Sequence, residues 1–195
     1  MQAGSPAESD LARPPFATFT AEMGAGAHEH IFSDVFLRDD RGAIVCIAKR
    51  PSMLHENFEI VDPQGQMKGT VNRKIHFMRN SAEICDSNKK VLGVVQVKSV
   101  AHSGSRMVLP RCWLEDASGN TQARFEFTTG LLWSIDLVKP DGSKVFHAQL
   151  TPTGGGVRNY LSGAASKRYG IDVFDPTLSA VVLAGIIAAI DTLVG

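Results

Sequence analysis

Three short stretches of the chain carry residue types with chemical potential. His28-Glu29-His30 would set two imidazoles on one face of a strand, as a two-ligand metal site requires. No third ligand stands close in sequence, so the pair reads as ordinary polar residues. TPTGGGVRN, Thr151 to Asn159, is glycine-rich enough for backbone amides to approach a phosphate. It has no Lys-Ser/Thr and opens no helix, which a P-loop needs, and it reads as a loop. Trp113 and Trp133 have rings on which a base or ligand can stack, but both lie in apolar runs, CWL and LLWSI, and are expected to pack in the core or on a sheet face. No GxSxG sequence and no Cys/His arrangement with a local signature suggests nucleophilic catalysis. The chain is therefore expected not to be an enzyme and to need no cofactor.

Charge and cysteine content set the partners and the compartment. Lys plus Arg equal Asp plus Glu at 20 each, so no net field recruits nucleic acid, and no specific nucleic-acid partner is expected. Beyond residue 27 the count is 19 against 17, a slight positive excess. Cys46, Cys85 and Cys112 are odd in number and widely spaced, with no CxxC, which fits a reduced, cytoplasmic setting and burial as small apolar residues. The first 27 residues carry no basic, apolar secretory pattern and read as a disordered leader, followed by one domain over 28–195.

The elements that would position any site come from a repeated turn. DDRG (Asp39 to Gly42), DPQG (Asp62 to Gly65), DSNK (Asp86 to Lys89), DASG (Asp116 to Gly119) and KPDG (Lys139 to Gly142) recur at intervals of 23, 24, 30 and 23 residues. An Asp at the first position accepts local backbone hydrogen bonds, and a Gly at the last tolerates the left-handed conformation that re-enters the next strand. The flanks alternate as half-buried strands do, with Ala123, Phe125 and Phe127 on one face and Arg124 and Glu126 on the other. Five hairpins supply ten strands, and HIFSDVF before them and SKRYGIDVF after them supply one or two more.

The chain closes on LSAVVLAGIIAAIDTLVG. Its apolar stretch runs thirteen residues from Leu178 to Ile190, short of the roughly 18 to 20 that cross a bilayer. With Asp175 as cap and Pro176 at the first helical position, a helix to Val194 would be about 28 Å long. It is apolar all round, so it must be buried all round, and the sheet is the remaining partner. The expected fold is mainly β, a closed antiparallel barrel of about twelve strands enclosing a buried C-terminal apolar helix. Asp191 near the helix end should leave the barrel mouth or meet a cation, because a buried unpaired carboxylate costs several kcal/mol.

Five such hairpins, FEIVDPQG (Phe58 to Gly65), the late strand RYGIDVFDP and the terminal LSAVVLAGIIAAID together resemble the tubby C-terminal-like superfamily, closest to the phospholipid scramblases and LURP-one-related proteins. The resemblance implies a barrel of about twelve strands round a C-terminal helix and a non-enzymatic membrane-surface or adaptor module, cytoplasmic or peripheral at the membrane. Its partners would be phospholipid or phosphoinositide head groups, or another protein. Tubby-like lipid binding uses clustered cations, and the adjacent basic pairs here are Lys49-Arg50, Arg73-Lys74 and Lys167-Arg168, with Arg79, Lys89, Lys90 and Lys98 nearby in sequence. Adjacent strand residues face opposite ways, so each pair gives one charge to a surface. The acidic segment that binds calcium in scramblases is reduced here to Asp172 and Asp175, and the acylated cysteine-rich segment is missing. A protein-interaction module without a lipid role and a scramblase-like lipid transporter are the alternatives.

Overall fold

The computed structural model describes residues 15–23, 34–50, 57–76, 79–98, 111–128, 134–152 and 167–194. Twelve strands follow in chain order. They are β1 (Ala17–Met23), β2 (Val35–Arg38), β3 (Ile44–Lys49), β4 (Phe58–Val61), β5 (Met67–His76) and β6 (Arg79–Asp86). Then come β7 (Val91–Lys98), β8 (Arg111–Glu115), β9 (Thr121–Thr128), β10 (Ser134–Val138), β11 (Lys144–Pro152) and β12 (Lys167–Val173). Each pairs antiparallel with its neighbour in sequence, and β1 pairs with β12 from Ala17↔Val173 to Met23↔Lys167, which closes the barrel. One helix, α1 (Ala180–Val194), follows β12.

The five turns explain the meander. In four of them the leading Asp accepts two backbone N–H groups through Oδ1: Asp39 from Arg41 and Ala43, Asp62 from Gln64 and Gln66, Asp86 from Asn88 and Lys90, Asp116 from Ser118 and Asn120. The fourth turn position is left-handed in all five, with Gly42, Gly65, Gly119 and Gly142 at φ 80–88° and Lys89 at 64°. Lys89 thus holds a conformation that costs an L-residue about 1 kcal/mol. All five turns lie at one end of the barrel, here the turn mouth, where β12 also ends and leads to α1; the strand ends joined by the other connections lie at the far mouth.

The inward faces of the strands and all sides of α1 form one core. Every residue from Leu183 to Ile190 is buried, so the helix is enclosed by the barrel. It lies nearest β2 to β7. Close approach to β6 requires Gly185, where a Cβ would stand 2.8 Å from Ile84 Cγ2. No helix among the described residues is long and apolar enough to cross a membrane.

Two expectations are corrected. The leader does not run to residue 27, because Ala17–Met23 form the strand that closes the barrel. Its ATFTAEM stretch alternates, with Ala21 and Met23 inward, a pattern masked by the Ala/Gly/Pro composition around it. Asp175 does not cap the helix. Its Oδ1 accepts from Thr177 N and Oγ1 at 2.9 and 2.7 Å, which makes a turn, and α1 starts four residues later than Pro176. Ser179 supplies the cap, its Oγ accepting from Val182 N at 3.2 Å. KRYGIDV of the late stretch forms β12 as expected, while residues 30–33 of HIFSDVF and residue 166 lie outside the described residues.

Candidate functional site

The three basic pairs divide as strand geometry requires, and each outward member faces a carboxylate. Lys49 stands opposite Glu59, Lys74 is ion-paired with Glu83 on β6, and Arg168 Nε lies 3.4 Å from Glu22 Oε1. Glu22 also holds Arg38 at 3.1 Å. The other members sit on inward strand positions towards the far mouth. Arg73 follows Val71 on that face and stands opposite Ala82; Lys167 stands opposite Met23. Arg50 lies with its guanidinium carbon 5.8 Å from the Phe58 ring centroid, and its backbone N–H donates to Asp34 Oδ1 at 3.0 Å. The six side chains do not gather on one outer patch.

A different set of cations does come together. Arg79 on β6 pairs in register with Lys98 on β7, and Lys98 with Arg111 on β8. Neighbouring strands are about 4.8 Å apart, so three cationic residues occupy one cross-strand row about 10 Å long at the far-mouth end of the sheet. Lys98 and Arg111 are exposed, and among the described residues no carboxylate forms an ion pair with either. Beside the row, half-buried Trp113 faces outward, its Nε1 donating to Glu115 Oε1 at 2.6 Å, while Gln96 Nε2 donates to Glu115 Oε2 at 2.9 Å. That carboxylate is therefore occupied, and the tryptophan packs on the barrel's outer face.

The acidic counterpart lies on the other strands. Glu126, Asp136, His147 and Asp172 stand opposite one another across β9 to β12. Asp136 binds His147 Nδ1 at 2.8 Å and Lys144 Nζ at 3.0 Å, and Asp172 accepts from Thr18 Oγ1 at 3.1 Å. Arg124 pairs with Glu126 at 2.8 Å, so two of these carboxylates are met by cations of the same wall.

The calcium candidates are already engaged. Asp175 Oδ2 lies 2.6 Å from Lys139 Nζ, and the hydrogen bonds from Lys139 and Thr177 hold its carboxyl down at about 2. Among the described residues no group of three His, Cys, Asp or Glu side chains is placed to hold a metal ion. His28, His30, Trp133 and residues 153–159 of the glycine-rich stretch lie outside the described residues, as does the side chain of Asp191. Burial pushes the Cys46 thiol up to about 11 and that of Cys112 to about 12, and it raises Cys85 as well, so none is a ready nucleophile.

Sequence reading missed the cation row because Arg79, Lys98 and Arg111 are 19 and 13 residues apart and meet only through register. Their one shared signal is a place at the end of a strand. No protein-family model and no curated protein matches the chain. A solved structure of a protein from Arabidopsis thaliana is similar, with 14% identity over 93% of this chain and 94% of that one and a TM-score of 0.50. The chain is accordingly a twelve-stranded barrel closed round its own C-terminal helix, in a fold that this plant protein shares.

Proposed function

We propose that the chain is a non-enzymatic membrane-surface module that binds anionic phospholipid head groups through Lys98 and Arg111, in the register row that begins at Arg79. The observation that carries this reading is the register itself. Like charges directly opposite one another on a sheet destabilise it, so a row of three is a cost that a bound phosphate would offset. The likeness of its strand rhythm to tubby-like proteins agrees with a peripheral, cytoplasmic role.

The test is sedimentation with phosphatidylcholine vesicles, with and without phosphatidylserine or a phosphoinositide. Binding should require the anionic lipid, weaken with salt, and fall severalfold in Lys98→Glu and Arg111→Glu. Absence of binding, or binding indifferent to both substitutions, would remove the lipid reading and leave a protein-interaction module.

A further inference from the structure

The turn mouth holds a second feature, at the opposite end of the barrel from the cation row. Because α1 lies nearest β2 to β7, a cleft of about 540 Å³ remains between its first turn and the wall built by β7 to β11. That volume falls within the range of small-ligand sites. Leu92, Leu114, Leu137, Val145, Leu178 and Val182 give the cleft an aliphatic side, Thr121, Gln122, Thr177 and Ser179 a polar one, and no aromatic ring lines it among the described residues. Leu92 is 38% exposed, and Leu114, Leu178 and Val182 are only partly buried, so apolar surface there stays wet.

The rim carries charge of one prevailing sign. Lys139, Asp141 and Asp175 line it, two carboxylates against one ammonium. Asp141 Oδ1 accepts from Ser143 N and Oγ at 2.9 and 2.7 Å, and its Oδ2 has no hydrogen-bond partner among the described residues. Lys139 breaks the Asp-first rule of the other four turns, and its side chain reaches across to Asp175. The rim therefore already receives one ammonium on an aliphatic stem. Without an aromatic cage the site suits an N–H-bearing ammonium that hydrogen-bonds carboxylates, rather than a quaternary one.

We propose that this cleft binds a primary alkylammonium compound, its aliphatic chain against the leucine and valine side chains and its ammonium at the Asp141 carboxylate, beside the Lys139–Asp175 pair. The site is independent of the head-group reading.

Three probes with one tail and different heads test it on the full chain: octylamine, octanol and octanoate, followed by calorimetry and by chemical-shift changes at the turn mouth. Octylamine should bind tightest. Asp141→Asn should weaken octylamine about tenfold and leave octanol unchanged, as loss of a charge-assisted contact predicts. Lys139→Gln, which removes the resident ammonium, should strengthen octylamine severalfold. Leu92→Trp, at an exposed position, should weaken octylamine by filling the cleft while the protein stays folded. Octanol or octanoate binding as tightly as octylamine, no binding of any probe, or octylamine binding indifferent to Asp141→Asn or Leu92→Trp would overturn the proposal. Lys98→Glu should leave octylamine binding unchanged, so failure here and failure of the lipid reading are told apart.

Discussion

At the residue scale, two charged side chains make opposite predictions about stability. Asp175 gains partners on folding, and its carboxyl lies at about 2 instead of the ordinary 3.8. A group whose pKa falls on folding stabilises fully above the unfolded value, and its contribution is lost as the pH drops through the folded one. Lys139 is 43% exposed, and solvent screening limits the contribution to about 1 kcal/mol. Asp175→Asn should therefore lower stability by about that amount at neutral pH, and urea titrations should show the gap to the parent protein closing from about pH 4 towards pH 2. Lys98 lies between two cationic residues, so Lys98→Glu should stabilise the fold by about 0.5 kcal/mol while vesicle binding falls. A purely structural lysine would not show gain and loss together. The three thiols, all buried and raised, should stay unreactive towards a thiol reagent at neutral pH until the protein unfolds.

At the element scale, the turns and the helix contact follow from backbone geometry. Lys89 occupies a left-handed position that glycine fills in the other four turns, so Lys89→Gly should raise stability by about 0.5 to 1 kcal/mol in thermal melts. Gly185 gives the opposite result. Alanine is the better helix former by about 1 kcal/mol, but its methyl would meet the fully buried Ile84, and overpacking of this kind costs about 1 to 3 kcal/mol. Gly185→Ala should therefore lower the melting temperature. The turn positions were legible in the sequence because each carries its own hydrogen-bond logic within five residues. The start of α1 was not, because Asp175 serves a turn or a helix by the same local bonds, and here its Oδ1 takes Thr177 while its Oδ2 meets Lys139, 36 residues earlier.

At the scale of the whole molecule, barrel and helix need each other. The wall presents an inward apolar lining that only α1 fills, and α1 has no polar side along its buried length. A chain ending after Ser179 should fail to give a cooperative unfolding transition. Removal of residues 1–23 should leave β2 and β12 as open edges and drive aggregation, which light scattering would detect. Charge behaves differently from apolar burial at this scale. The balance of 20 against 20 conceals a basic row on β6 to β8, whereas the carboxylates Glu126 and Asp136 on β9 and β10 hold cations of their own.

The amino-acid order by itself determined what depends on near neighbours: five turns, four of them with Asp caps, the period-two strands between them, and an all-apolar terminal helix that had to be surrounded. Closure through Ala17–Met23 was hidden by its leader-like composition. The meeting of Arg79, Lys98 and Arg111 and the cleft beside α1 were decided by the tertiary structure alone. Register and helix placement join residues distant along the chain, and no local pattern encodes which of them will become neighbours.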